Sequence, residues 1–173
     1  MKRYTSFGSV HQRGVFLLEA LIAILIFAFG ILGIVAMGAS AINAQSDSQY
    51  RSEAASYASE LVGQMWMAAD RTNATTFTNS MNAFSHMATG AAADCAFSGS
   101  ASSNAVVQDW VSRITTISAT NKGLPGATSP NGARQQVVVT TDADGVHQVT
   151  ITICWQSPAD SFHRRLTHVA FIN

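Results

Sequence analysis

The hydrophobic pattern divides the chain in two. Residues 15–42 read VFLLEALIAILIFAFGILGIVAMGASAI, with Glu19 as the only charge. Residues 20–39 are uncharged and mostly apolar; as a helix rising about 1.5 Å per residue they match the roughly 30 Å hydrocarbon core of a bilayer. Beyond this run the apolar positions thin to a stripe. Tyr50, Ala54, Tyr57, Leu61, Met65 and Ala68 recur every three or four positions, with Asp47, Arg51, Glu53, Ser56 and Glu60 between them. That spacing marks one face of a helix. All three prolines lie beyond residue 124, so nothing earlier is barred from helix. The pattern therefore predicts one helix from about residue 15 to about residue 69. Its first half has the length and composition to face lipid, and its second half would pack its stripe on a globular head. Gly30, Gly33 and Gly38 weaken the first half; they fit either a place to bend on assembly or close packing of neighbouring helices.

Residues 70–104 form a variable region rich in Ala, Ser, Thr and Asn. Phe77, Met81, Phe84 and Ala88 have helical spacing, Gly90 is a candidate stop, and residues 91–104 read as loop. A second helix is expected over residues 105–117, capped by Asn104, with Val107, Trp110, Ile114 and Ile117 as its apolar face. Lys122-Gly123-Leu124-Pro125-Gly126 ends it. Residues 134–173 read as β structure. Val137, Val138 and Val139 open it, and Asp142-Ala143-Asp144-Gly145 is a hairpin signal. Val149, Ile151, Ile153 and Trp155 then alternate with Gln148, Thr150, Thr152, Cys154 and Gln156. With a third strand over residues 166–172, the simplest sheet is a three-stranded antiparallel meander. The long helix would pack on the face bearing Ile151, Ile153 and Trp155. The expected fold class is α+β.

Charge refines this picture. Ten Lys+Arg balance ten Asp+Glu, which argues against a general nucleic-acid binder. Residues 1–14 hold Lys2, Arg3 and Arg13 and no acid; without them seven basic side chains face ten acidic ones. Basic residues on the N-terminal side of the apolar run place residues 1–13 in the cytoplasm and the head outside. In an oxidising compartment Cys95 and Cys154 are expected to form a disulfide. Cys154 falls on the polar face of its strand, so the bridge would tie the 91–104 loop to the outer face or edge of the sheet. His163 and His168 are an odd number apart and point to opposite faces of one strand, and His11 lies in the leader. His86 and His147 are expected to be solvated. Asp142 and Asp144 fit a turn better than a calcium loop, and Arg164-Arg165 fits a solvated or salt-paired edge. No phosphate loop, nucleophile elbow, zinc-protease helix or dinucleotide fingerprint occurs, so no catalytic residue, metal or cofactor is expected.

Glu19 decides between readings of the apolar run. A carboxylate in the apolar zone costs about 2–3 kcal/mol or more. Neither an ordinary secretory signal cut near Ala39 or Ala41 nor a plain anchor accounts for it. The string Gly14-Val15-Phe16-Leu17-Leu18-Glu19, behind a basic leader, resembles the class III signal of type IV pilins and pseudopilins. The family usually has Phe or Met where this chain has Val15. The resemblance implies a leader over residues 1–14 and cleavage between Gly14 and Val15 by the prepilin peptidase. It implies N-methylation of Val15, and pairing of Glu19 with a neighbouring subunit's amine during assembly. It also implies an assembly half over residues 15–42 and a head over 43–173. The Gln108-Asp109-Trp110 helix, the Leu124-Pro125-Gly126 exit and the Thr-Ile-Cys-Trp strand end resemble minor pilins of the PilV type, the type IV pilus modification proteins. The implied partners are the peptidase, other major and minor pilins, the inner membrane and its pilus assembly machinery. The implied role is a structural subunit affecting assembly, adhesion or twitching motility. Two other readings stay open: a type II secretion pseudopilin, and a bitopic membrane protein with a periplasmic binding domain.

Overall fold

The computed structural model describes residues 13–129, 132–142, 145–158 and 160–173; residues 1–12 of the expected leader lie outside the described residues. The order is α1 (Arg13–Ala68), α2 (Ala74–Asn82), a 3-10 turn (Ala92–Asp94), α3 (Ala105–Thr115), then β1 (Thr128–Ser129), β2 (Gly132–Ala133), β3 (Gln135–Thr141), β4 (His147–Trp155) and β5 (Arg164–Ile172). The chain forms two compact units, Met1–Ala44 and Gln45–Asn173. This is an α+β layout: a long N-terminal helix, apolar at first, whose later part packs on a small antiparallel sheet.

The first unit is described over the early part of α1 alone. Every side chain described there, from Val15 to Ala44, is exposed.

The second unit is built around the sheet. Strands β3, β4 and β5 pair antiparallel in that order, from Trp155↔Arg164 at one end to His147↔Ile172 at the other. Alternation gives the strands two different faces. Val137, Val149, Ile151, Ile153, Trp155 and Ile172 join Ala54, Ala58, Leu61 and Met65 of α1 in one buried cluster. Met81 of α2, Phe84, and Val107, Trp110 and Ile114 of α3 close its sides. Trp110 also satisfies its one polar atom, Nε1 donating to the Tyr57 carbonyl oxygen at 2.9 Å. An indole buried this way needs such a partner.

Three expectations are corrected. The buried stripe of α1 runs through Ala58 rather than Ala68, which is exposed; Ala54, Ala58, Leu61 and Met65 keep the four-three-four spacing, and α1 ends at Ala68. Helix α2 stops at Asn82, well before Gly90; the Ala83 N–H closes its last turn on Asn79. Gly90 instead sits in the following loop at φ +98, where a Cβ would collide with the Ala96 carbonyl oxygen. Helix α3 ends at Thr115, leaving Ile117 beyond it and 64% exposed. The stop is made from a distance in sequence. Asn121 Nδ2 donates to the Arg113 and Thr116 carbonyls at 2.7 and 2.6 Å, and the Leu124 N–H takes the Ile114 carbonyl at 2.8 Å. Those are the carbonyls a longer helix would have used.

Candidate functional site

The residues that resemble a class III signal lie at the start of α1. Arg13 and Gly14 are its first two residues, so the Gly14–Val15 bond falls in the opening turn. Helix ends fray, and a terminal turn is where a peptidase meets the least resistance to an extended chain. A cut there would leave Val15 as the new first residue. Its amine would add positive charge to a helix end already positive from four unpaired N–H groups. Glu19, four residues on, lies over the same face and offsets that charge. In the uncut chain Glu19 is exposed and has no ion-pair partner among the described residues. Around it Phe16, Leu17, Leu18, Leu21 and Ile22 are all at least half exposed. The most apolar 18-residue window of this helix has a mean hydropathy of 2.9, and none of it is buried. By length and composition the helix can cross a membrane. Gly14, Val15 and Glu19 lie within the opening turns of one helix, in the first unit; the disulfide belongs to the second.

The disulfide joins Cys95 to Cys154, with Cα atoms 5.9 Å apart. Cys154 points to the β4 face opposite Ile153 and Trp155, and with Cys95 and Phe97 it forms a second buried cluster that Met87 and Ala92 cover in part. The loop it anchors is pinned several times over. His86 exchanges two backbone bonds with Val137, at 3.0 and 2.9 Å, and Thr89 pairs with Ser98. Gln136 Nε2 donates to the Met87 and Thr89 carbonyls at 3.0 and 3.2 Å. The Ser102 N–H donates to His86 Nδ1 at 3.1 Å, and Ser102 Oγ donates to the Ala83 carbonyl at 2.7 Å.

Both histidines expected in solvent are buried, His86 to 6% exposure and His147 to 1%. For His147 the signal was present. It shares the odd-numbered parity of Val149, Ile151 and Ile153, and its ring stacks on Phe77 of α2 with centroids 4.8 Å apart. His86 carried no such signal, since its burial depends on a bridge to Val137, 51 positions away. Burial lowers its pKa, because the charged ring would lose water and gain no counterion. His163 precedes β5 and His168 faces the helix side of it, opposite Ile151. Asp144 lies outside the described residues; Asp142 accepts the Gly145 N–H through its carbonyl and the Val146 N–H through Oδ1, as a hairpin turn requires.

Two ion pairs tie α1 to distant elements; salt pairing of Arg164 is among the expectations, its partners and the Glu60–Arg113 pair are not. Glu60 accepts two bonds from Arg113 of α3 at 2.7 and 2.9 Å, which raises the Arg113 pKa. Asp47 accepts from Arg164 of β5 at 3.0 Å across 117 positions. No protein-family model, curated protein or solved structure matches the chain.

Proposed function

We propose that this protein is a minor type IV pilin, a structural subunit made as a single-pass inner-membrane precursor. The prepilin peptidase cuts it after Gly14, and it then joins a pilus together with other pilins. The observation that carries this reading is the run from Gly14 to Glu19, which leads directly into an apolar helix left uncovered from Val15 to Ala44. Such a helix needs lipid or other helices around it. One carboxylate on the apolar helix, four residues from a newly made amine, suits a device that exchanges lipid for a helical bundle. The α+β head is compatible with display on such a fibre. It affects assembly, adhesion or twitching motility and has no catalytic step of its own. Intact-mass measurement of the protein from its native membrane tests the reading. The expected chain begins at Val15 and carries one added methyl group. A chain beginning at Met1, or after Ala41, overturns it.

A further inference from the structure

The three-stranded sheet has two edges of different kinds. On β3, the Val137 N–H and carbonyl turn away from β4 and exchange bonds with His86 at 2.9 and 3.0 Å. Toward β4, the Arg134 carbonyl accepts the Cys154 N–H at 2.9 Å, one step along from Gln135↔Ile153. Ladder bonds alternate along an antiparallel pair. The even-numbered residues of β4 therefore bond to β3, and the odd-numbered ones bond to Arg164, Leu166, His168, Ala170 and Ile172 of β5. That leaves Arg165, Thr167, Val169 and Phe171 with their N–H and carbonyl groups directed off the sheet. All four residues are exposed, and among the described residues no strand or bridge pairs with this edge.

An open edge is a template for another strand, and proteins blunt it with short length, charge, proline or a bulge. Strand β5 is nine residues long, against about five or six for an average strand. Its basic pair stands at the start. From Thr167 to Ile172 it reads THVAFI, with no Asp, Glu, Lys, Arg, Pro or Gly. Its register with β4 runs unbroken, so no bulge turns the edge aside. The side chains of the four open residues share the Cys154 face, where Val169 is 46% and Phe171 61% exposed. Arg165 lies at the other end of that row and makes no ion pair among the described residues. No Asp or Glu stands on this face of β3, β4 or β5. An added strand therefore meets apolar surface at one end and an unmatched cation at the other.

We infer that β5 is a docking edge, to which an extended segment of another protein adds as a fourth, antiparallel strand. The segment carries uncharged β-branched residues beside Val169 and Phe171 and a carboxylate beside Arg165. Main-chain bonds to the four open residues supply the attachment, and the alternating side chains select the segment. An antiparallel partner suits a sheet whose other pairs are antiparallel, and it sets side chains directly opposite one another. The edge lies wholly within the second unit, so the inference stands or falls apart from the pilin reading.

The test takes the isotope-labelled full-length precursor in detergent micelles and reads amide exchange residue by residue by NMR. The probe is the end-blocked peptide Val-Thr-Val-Thr-Thr-Thr-Glu, whose first residue falls opposite Phe171 and whose last falls opposite Arg165. Without it, the amides of Arg165, Thr167, Val169 and Phe171 are expected to exchange fast, and those of Leu166, His168 and Ala170 slowly. At millimolar peptide the first set should slow by about tenfold or more. A peptide ending in Lys should bind about fivefold more weakly. Arg165→Glu, a change at an exposed side chain, should reverse that preference. Val169→Pro removes an N–H that faces off the sheet, so the β4 ladder should persist while protection by the peptide is lost. No slowing of the first set, equal binding of the two peptides, or binding unaffected by Val169→Pro overturns the inference. So does a first set already slow in a dimeric precursor, which would make the occupant a second copy of this chain.

Discussion

At the scale of single residues, two side chains carry charges whose environment decides the outcome. Glu19 is tolerable in an apolar bundle only with a cation beside it, since an unpaired buried carboxylate is strongly destabilising. Glu19→Ala should leave the peptidase site intact, so the processed band appears at its normal size on an immunoblot. The same variant should be missing from sheared surface fibres; normal incorporation would remove the physical basis for the fibre-subunit reading. His86 has the opposite requirement. Its Nδ1 accepts a backbone N–H, so a proton there would face the Ser102 N–H head-on. The groups it bonds, on Val137 and Ser102, carry no titratable side chain, and burial lowers its pKa below the ordinary 6.5. The unfolded chain therefore binds this proton first as pH falls. The stabilisation is complete above about pH 6.5 and is lost as pH drops below that value towards the lower folded pKa. Denaturant midpoints of the wild type should fall between about pH 7 and about pH 5. His86→Asn, whose Oδ1 accepts the same N–H without titrating, should flatten that part of the profile.

At the scale of elements, what was legible followed from periodicity and what was not followed from long-range pairing. The apolar run, the stripe through Ala54, Leu61 and Met65, the Asn104 cap and the odd-numbered face of β4 are local patterns, and each appears in place. The end of α3 is set by residues that follow the helix, five to ten positions beyond the carbonyls they take. Ile117 continues the helical spacing of Ile114, yet Asn121 and Leu124 take the carbonyls that would have extended the helix. Burial of His86 depends on Val137, and the ion pair between Asp47 and Arg164 spans most of the head. No window of fifteen residues contains both His86 and Val137, or both Asp47 and Arg164. The disulfide is intermediate, since two cysteines allow only one pairing but say nothing of the loop that Gln136 and Ser102 hold around it. Cross-linking across 59 positions restricts the unfolded chain, and by the loop-closure relation this is worth about 4 kcal/mol. Replacing both cysteines by serine should lower the unfolding free energy of the head by about that amount. Amides of β4 and α3 that exchange only by global unfolding should lose protection by the same free energy, and the loop from Met87 to Ser98 should open more readily still.

At the scale of the whole molecule, the chain combines two units with different solvents. The core cluster of the second unit begins at Ala54, with Tyr50 packed against it. The first unit buries no described side chain, yet its residues are those a bilayer or a bundle of like helices would accept. Stability of the head should thus be independent of the assembly half, even though one helix runs through both. A chain starting at Gln45 keeps Asp47, the stripe on α1, both cysteines and the whole sheet. It should be soluble without detergent, form the Cys95–Cys154 bridge, and melt within a few degrees of the full precursor in micelles, while failing to enter membranes or fibres. Calorimetry on both proteins, with a flotation assay for membrane binding, checks this. A truncated head that melts far lower, or that aggregates with its disulfide formed, would mean that the apolar half supports the head's core. The lipid-facing and head-packing segments would then have to be treated as a single cooperative unit.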